Sequence, residues 1–600
     1  MSLWDRTRDA LHEALTLLAA AGELGEQGPA VIAAAVVPVE RPKRPEHGDL
    51  STNVAMTLTK KLGVPPRAIA DKLAAKVAGR GVVATADVAG PGFVNLRLAP
   101  SAITDELDAI RAAGAGFGKK PSASGERVDL EFVSANPTGP LTIASARNAV
   151  LGDAVGRLLE ATGNRVTREY YVNDFGNQVR LLGESVAARA EGRDVPEDGY
   201  KGEYVLEIAD YLKQARPEVL TGPREELVRT CITLMIRGIP GSPTQPGIQK
   251  TLSELGVDFD VWFSEESLHR WGYVPLALAE LERGGFLEAK EGALFFVAKG
   301  DKATEDKERV VKKSDGSYTY FASDIAYFQH KMRRGYDRLL IVLGADHHGY
   351  VTRIKNALEA LGLPSERFEA MLYQLVFIIQ GGALAKSSKR EGKVVRTDEI
   401  LTEIDAAAGR KGAGSDAVRF FFLSRAAGSQ VEFDVDLAKK ASLDNPVFYV
   451  QYGHARLCSI LRKAEASGHR APARPSPATW SKLGPDELAL AAKVAEWPMV
   501  LEEAAKLREP HRVVFYAQEI ARDFQSYFTR FKKDPILPPE SLQKTAGWES
   551  AWDHEKTRAR LAWVEAIRTV YAASLASLGI ARPERMDRPV DAGEDDEDGA

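Results

Sequence analysis

Cysteine is nearly missing from this sequence. Cys231 and Cys458 are the only two in 600 residues, too few for a disulfide framework or a thiolate zinc site, and they suit a reducing compartment. Long apolar runs are missing too. The best, Ala30–Val39 and Leu375–Ile379, fall short of the roughly 18–20 residues that span a bilayer. The opening stretch MSLWDRTRDALHEALTLLAAAG mixes acids with apolar residues. Its Leu3, Leu11, Leu15 and Leu18 recur at helical spacing, which reads as an amphipathic helix and not a secretory leader. The expectation is a cytoplasmic protein with no membrane partner. An excess of positive charge is also lacking, since 79 Lys and Arg stand against 84 Asp and Glu. Taken whole, that argues against a surface coated for nucleic acid. The sum misleads, however. Asp591, Glu594, Asp595, Asp596, Glu597 and Asp598 crowd the last ten residues, and setting aside those six charges turns the net −5 into +1.

What is present is ordinary globular composition, 44% apolar and 27% charged, in a chain too long for one core, so three or four domains are expected. Residues 1–115 read as a small α+β unit, with a proline-started helix at Arg67–Val77 and strands at Val82–Val88 and Phe93–Leu98. Gly114–Gly118 reads as a flexible link. From Val128 the pattern becomes strand (Val128–Val133), Pro/Gly turn, helix (Ile143–Thr162) and strand (Val166–Val172), the βαβ unit of a nucleotide-binding sheet. A second such block runs Arg338–Leu343, Gly344–Gly349 and Tyr350–Leu361. Residues from about 185 to 300 read as a helical insertion with a β-rich end at Ala293–Val297. Beyond Asn445-Pro446 the chain is nearly all helical to about Leu578. Region 446–588 carries 22 Lys and Arg against 17 Asp and Glu. The acidic tail 587–600 is expected to be disordered.

Two segments have the composition of phosphate sites. The turn Ser134-Ala-Asn-Pro-Thr-Gly-Pro-Leu141 leads into a helix N-terminus, whose amides and dipole favour an anion; it could equally be a loop that caps a helix. Gly381-Gly-Ala-Leu-Ala-Lys-Ser-Ser-Lys-Arg-Glu-Gly392 sets cations between glycines after the apolar strand Leu375–Ile379. Mobile lysines suit a triphosphate whose charge shifts as pyrophosphate leaves, and a solvated charge run is the plainer reading.

In this order, the two segments resemble the two signatures of class I aminoacyl-tRNA synthetases. The flanking residues narrow the resemblance to arginyl-tRNA synthetases: Glu131–Leu141, Tyr170–Gln178, Gly344–Tyr350, Phe433–Leu437, Asn445–Arg456 and Pro583–Met586, with His47–Asn53 and Val88–Phe93 matching the family's additional N-terminal domain. The resemblance implies a multidomain α/β + α chain. A Rossmann-like catalytic domain would occupy 116–445, flanked by the N-terminal tRNA-contacting domain 1–115 and a helical anticodon-binding domain 446–586. It implies ATP and L-arginine as substrates, Mg²⁺ with the ATP, no zinc, and tRNA(Arg) as partner to a monomer. tRNA would have to bind before arginine is activated. Glu131, Ser134 and Asn136 fall where the family holds the amino acid. Tyr320 and Asp324 match its Y-x-x-x-D element for the guanidinium, a spacing that shares one helical face. Asp346, His347 and His348 would line the ATP pocket; a metal site there is the competing reading. In the helical domain Phe515, Tyr516, Phe524, Tyr527 and Phe528 are available to stack on bases, although their recurrence every three or four residues also suits a helix core.

The sequence departs from the family at the first signature. Where the family has H-x-G-H, this chain has Thr142-Ile143-Ala144-Ser145, so both imidazoles are gone and hydroxyls stand in. Losing one such transition-state donor typically costs ~3–4 kcal/mol, on the order of 10²–10³ in rate. The second signature reads Lys386-Ser387-Ser388-Lys389 for K-M-S-K and keeps both lysines. Ser388 joins Lys386 and Lys389 as an expected ATP contact, with Thr142 and Ser145. Ala406–Ser415 reads as an inserted loop. Three functions follow: an active arginine–tRNA ligase, a weakened or inactive paralogue that binds tRNA in a regulatory role, and a nucleotidyltransferase acting on a different acid. The retained arginine pocket and lysines favour the first.

Overall fold

Residues 2–42, 44–121, 125–298, 309–385 and 394–586 are described by a computed structural model of the chain. The lysine segment 386–393 and the tail 587–600 lie outside the described residues, as does the His348 side chain.

The N-terminal part builds a three-stranded antiparallel sheet from β1 (Leu50–Thr52), β2 (Val83–Ala89) and β3 (Phe93–Leu98), in the order β1-β3-β2. The helix Leu3–Ala20 buries Leu3, Leu11, Leu15 and Leu18, the stripe its spacing predicts. The expected flexible link is instead packed. Gly114–Gly116 forms a 3₁₀ turn, and a Cβ at Gly118 would sit 3.0 Å from the Trp497 ring.

The central sheet is parallel throughout. Its strands are β4 (Arg127–Glu131), β5 (Arg165–Val172), β6 (Val261–Ser264), β10 (Arg338–Gly344) and β11 (Phe368–Tyr373), ordered β11-β10-β4-β5-β6. The chain starts at β4, builds outward to β5 and β6, then crosses to β10 and β11. The strand order therefore reverses at β4/β10, and the crevice beyond the carboxyl ends there is where ligands bind in such sheets. Both faces are covered, as parallel sheets require. Leu130, Leu340 and Val342 pack under the helix Ile143–Ala161, while Leu339 and Ile341 pack under the helix Tyr320–Arg333. Gly152 lets the first helix approach, because a Cβ there would meet the Phe132 ring at 2.3 Å.

The sequence reading needs four corrections here. The strand read to Val133 stops at Glu131, because Val133 and Ser134 take φ of 67° and 39°. The insertion read as helical contains β6, the edge strand of the main sheet. Ala406–Ser415 is not a loop: the helices Thr397–Ala408 and Ala413–Leu423 run through it with a turn between them. The strand read as Leu375–Ile379 is β12 (Val376–Gln380). It sits in a separate sheet with β13 (Ala383–Leu384) and β14 (Val431–Asp434). A further antiparallel sheet joins β7 (Leu287–Lys290), β8 (Ala293–Phe296) and β9 (Arg309–Lys312).

From Pro446 to Ser577 helices dominate, with the helices Pro446–Ala466, His511–Arg530 and His554–Ser577 forming one bundle. Tyr516, Phe524 and Tyr527 are buried in it, so three of the five aromatics expected to be available for stacking are core. No helix among the described residues is long and apolar enough to cross a membrane.

Candidate active site

The loop after β4 is held by its own polar groups. Val133 and Ser134 occupy the left-handed region, which is costly for a β-branched residue and concentrates at functional sites. The Val133 N–H donates to Asn148 Oδ1 at 2.7 Å, and Asn148 Nδ2 donates to the Val342 carbonyl at 3.0 Å. One side chain of the first helix thus pins the ends of both β4 and β10. Ser134 Oγ donates to Glu131 Oε1 at 3.2 Å and accepts from the Tyr171 N–H at 3.1 Å. Asn136 Nδ2 donates to Gln178 Oε1 at 2.6 Å. Glu131, Ser134 and Asn136 are therefore brought together at one mouth.

Glu131 is already engaged. Its Oε2 accepts from Lys331 Nζ at 2.9 Å and from the Tyr327 hydroxyl at 2.9 Å. Lys331 also pairs with Asp129 at 2.6 Å, and Arg334 bridges Asp129 and Glu169 at 2.6 and 2.5 Å. Three buried acids and two cations make a largely, not fully, compensated cluster beneath the site. It fixes the carboxylate geometry, because removing one partner would strand a buried charge.

A second acidic group next to it has no such balance. Asp174 follows β5, Glu265 follows β6, and Asp324 lies one turn into the helix that starts at Tyr320. Among the described residues none of the three pairs with a Lys or Arg within ion-pair distance. Burial, reinforced by Asp324 and Asp174, pushes Glu265 up to about 8. Burial, reinforced by Glu131, pushes Asp324 up to about 7. Asp174 is raised mainly by burial. Glu265 is only 2% exposed, and its Oε2 has no hydrogen-bond partner among the described residues. Buried acceptors of this kind are rare. Ser323 Oγ instead lies 3.2 Å from His269 Nε2. The Tyr320 ring is 61% exposed, with its hydroxyl over Gly176. This hole is complementary to a planar cation with several donors. The sequence reading named Asp324 and Tyr320. Glu265 and Asp174 were missed, because single acids at strand ends carry no motif.

At the first signature, Thr142 caps the helix Ile143–Ala161. Its Oγ1 accepts from the Ser145 N–H at 3.4 Å and lies 3.1 Å from Ser145 Oγ. One hydroxyl therefore donates to the other, leaving one hydroxyl proton of the pair to point outward. Among the described residues the Ala144 N–H has no backbone partner, and Ala144 is the exposed residue of this first turn, so one amide there stays open. Ile143 N–H donates to the Val395 carbonyl at 3.1 Å and Thr397 N–H to the Leu141 carbonyl at 2.9 Å. The chain emerging from the lysine segment is thereby stitched to the helix N-terminus. Its other end leaves from β13, whose neighbour Ala385 bonds the Ile378 carbonyl at 2.8 Å. Lys386, Ser388 and Lys389 lie outside the described residues; the chain that follows their segment pairs with Thr142 through Arg396. Arg147, buried in the same helix, donates to the carbonyls of Gln374, Leu375, Ala426, Ala427 and Ser429 at 2.6–3.3 Å. Burial lowers its guanidinium to about 10.

Across the crevice Asp346 and His347 follow β10, largely exposed and 3.7 Å apart. Among the described residues no cluster of three or more His, Cys, Asp or Glu could hold a metal ion. A cavity of about 680 Å³ opens beside Asp174 and carries Arg180, Arg224, Arg229 and Arg237. A groove of about 630 Å³ lies where the helix Thr397–Ala408 meets the helix Pro446–Ala466, with Phe448 and Tyr452 on its wall.

Known proteins share this arrangement. The profile described as "Arginyl tRNA synthetase N terminal domain" matches residues 6–98. That for "tRNA synthetases class I (R), catalytic domain" matches 109–196 and 245–413, and "DALR anticodon binding domain" matches 450–586. A relative from Syntrophotalea carbinolica named arginine–tRNA ligase is 41% identical over 555 residues, covering 91% of this chain and 94% of the relative. One of the same name from Oceanobacillus iheyensis is 37% identical over 596 residues, covering 98% of this chain and 100% of the relative. The solved arginyl-tRNA synthetase of Thermus thermophilus superposes with a TM-score of 0.72 at 25% identity, covering 96% of this chain and 100% of that one. With its sheet, its acidic pocket and relatives aligned over nearly its whole length, the chain belongs to the arginyl-tRNA synthetase family.

Proposed function

We propose that the protein is an arginine–tRNA ligase. The observation that carries this is the acidic group of buried Glu265 with half-buried Asp174 and Asp324, which among the described residues has no Lys or Arg within ion-pair distance and keeps an open acceptor on Glu265. The guanidinium of L-arginine enters there, with Tyr320 closing over it. Ser134 and Asn136 meet the α-amino and carboxyl end. Glu131, spent on Lys331, Tyr327 and Ser134, positions Ser134 rather than binding substrate directly. The arginine carboxylate attacks the α-phosphorus of ATP and displaces pyrophosphate. A hydroxyl of the 3′-terminal ribose of tRNA then takes the arginyl group and releases AMP.

The nucleotide lies in the β4/β10 crevice, its phosphates facing the Ala144 amide and the Thr142–Ser145 hydroxyls, with Lys386, Ser388 and Lys389 closing from the anchored segment. Asp346, His347 and His348 border its other side. Mg²⁺ enters with ATP as part of the substrate. Most of the catalysis is positioning and electrostatic stabilisation. Unit 1–115 contacts the outer corner of the tRNA, 116–445 performs the chemistry, and 446–586 reads the anticodon loop through the groove bearing Phe448 and Tyr452.

The test is arginine-dependent exchange of pyrophosphate into ATP, with and without arginine-specific tRNA. Exchange that needs arginine and tRNA together and drops on the order of 10²-fold in Lys389→Ala supports the reading. A protein that binds the tRNA but supports no exchange above that variant is the regulatory paralogue instead.

A further inference from the structure

The groove between the catalytic and helical regions is strongly one-signed. Arg410, Lys439, Lys440, Arg456, Arg462 and Arg585 line it, and no carboxylate does. Arg410 is neutralised by Asp416, and Lys439 by Glu403 and Asp436. Lys440, Arg462 and Arg585 have no carboxylate partner among the described residues, so the groove presents uncompensated positive charge beside two half-buried rings.

The chain leading into residue 587 is clamped along its rim. The Ala581 N–H donates to Asp416 Oδ1 at 2.7 Å, and the Ala581 carbonyl accepts from Gln451 Nε2 at 3.0 Å. The Pro583 carbonyl bonds His454 Nδ1 at 2.9 Å, and the Glu584 carbonyl accepts from Arg462 Nη1 at 2.7 Å. Met586, the last described residue, is itself part of the groove wall. The next fourteen residues carry seven acids and one arginine, a net of −6, opposite in sign to the groove with its Lys440, Arg462 and Arg585. Asp591 lies within about 17 Å of Met586 along an extended chain and Asp598 within about 42 Å, so the whole acidic run can reach.

We propose that the segment Asp591–Asp598 occupies this groove in the absence of RNA and competes with the tRNA for it, acting as a tethered polyanion. This rests on the reading of the groove as the anticodon-loop surface. A short tether holds the segment at an effective concentration on the order of millimolar. Weak ionic contacts then suffice for partial occupancy, and tRNA with its greater charge displaces the segment. The device raises the threshold for RNA entry without touching the chemistry.

The test compares the full chain with a truncation after Met586, using a transcript of arginine-specific tRNA. Truncation should tighten RNA binding on the order of 3–10-fold at low salt, shrinking to within about twofold near 0.5 M, with kcat unchanged. A chain whose acids from 591 to 598 are replaced by Asn and Gln should behave as the truncation does. Ala441→Cys with Gly599→Cys, in a protein whose native cysteines are buried, should form a disulfide that saturating tRNA suppresses. Equal RNA affinity with and without the tail, or a difference with no RNA-suppressible cross-link, overturns the docking. A triple variant Lys440→Ala, Arg462→Ala, Arg585→Ala, made in the truncated protein, separates the two ideas. If it leaves RNA affinity unchanged, the groove is not the RNA surface and the tail proposal falls with it. If it weakens binding while the tail has no effect, only the tail proposal fails.

Discussion

At the scale of single residues, the acidic pocket has a pH signature. Asp324 and Glu265 have pKa values raised to about 7 and about 8 by burial, reinforced by Glu131 at Asp324 and by Asp324 and Asp174 at Glu265. In the proposed pocket arginine needs both ionised, so protons and arginine compete. As pH falls from 8.5 to 6, KM for arginine should rise, by up to about tenfold per pH unit for each proton that must leave. Without ligand the sign reverses for stability. A raised carboxylate pKa contributes stability that is full at low pH and lost as pH climbs through 7–8. Thermal denaturation with and without arginine should therefore show a ligand-induced rise in Tm that grows from pH 6 to 8. A flat KM over this range would remove Glu265 and Asp324 from the binding step. Glu265→Gln keeps the shape and removes the charge. It should cut kcat/KM for arginine on the order of 10²–10³ while leaving KM for ATP within about twofold. The Tyr320–Asp324 pair was readable because its helical spacing is local. The acids beside Asp324 come from the ends of β5 and β6, 150 and 59 residues upstream, and no local pattern joins them.

At the scale of elements, the helix Ile143–Ala161 organises the site from its N-terminus. Thr142 caps that helix, and in the proposed site it also faces the phosphates. Thr142→Ala should cost about 1 kcal/mol of stability from the cap and a further 10-fold or more in kcat, read by urea unfolding and by charging kinetics. A loss in stability with kcat intact would make Thr142 a cap alone. Arg147 holds the sheet of β12 and β14 to this helix through five carbonyls. Arg147→Met should destabilise by about 3 kcal/mol, because those carbonyls lose a charged donor in a buried place. Periodicity located both strands and the helix of the βαβ unit to within two residues. It missed β6, a four-residue edge strand flanked by helices, and it misread Ala406–Ser415, where Gly and Lys only mark the short turn between two helices. The end of β4 was read two residues too long, because Phe132 and Val133 look like strand residues and only tertiary hydrogen bonds turn the chain away.

At the scale of the whole molecule, the N-terminal unit is fastened to the C-terminal helices. Arg41 pairs with Glu496 and Glu519, Arg111 pairs with Glu565 at 2.8 Å, and Trp480 Nε1 donates to Asp108. Glu496 is nearly buried, so Arg41→Ala strands its charge and should lower stability by about 2–3 kcal/mol. Calorimetry that instead shows an unchanged Tm would mean that the two regions are not coupled through this contact. The charge sum read from composition said little about function, because charge works locally here. The pocket is negative, the groove is positive, and the acids that set the total sit in one short segment.

The most direct measurement is charging of arginine-specific tRNA by the purified protein, with arginine and with its uncharged isostere citrulline. Efficient arginylation, with discrimination against citrulline of about 10⁴ or more, is the predicted result. No arginylation by a protein that binds the tRNA, or comparable use of citrulline, would contradict a ligase whose specificity comes from Glu265 and Asp324.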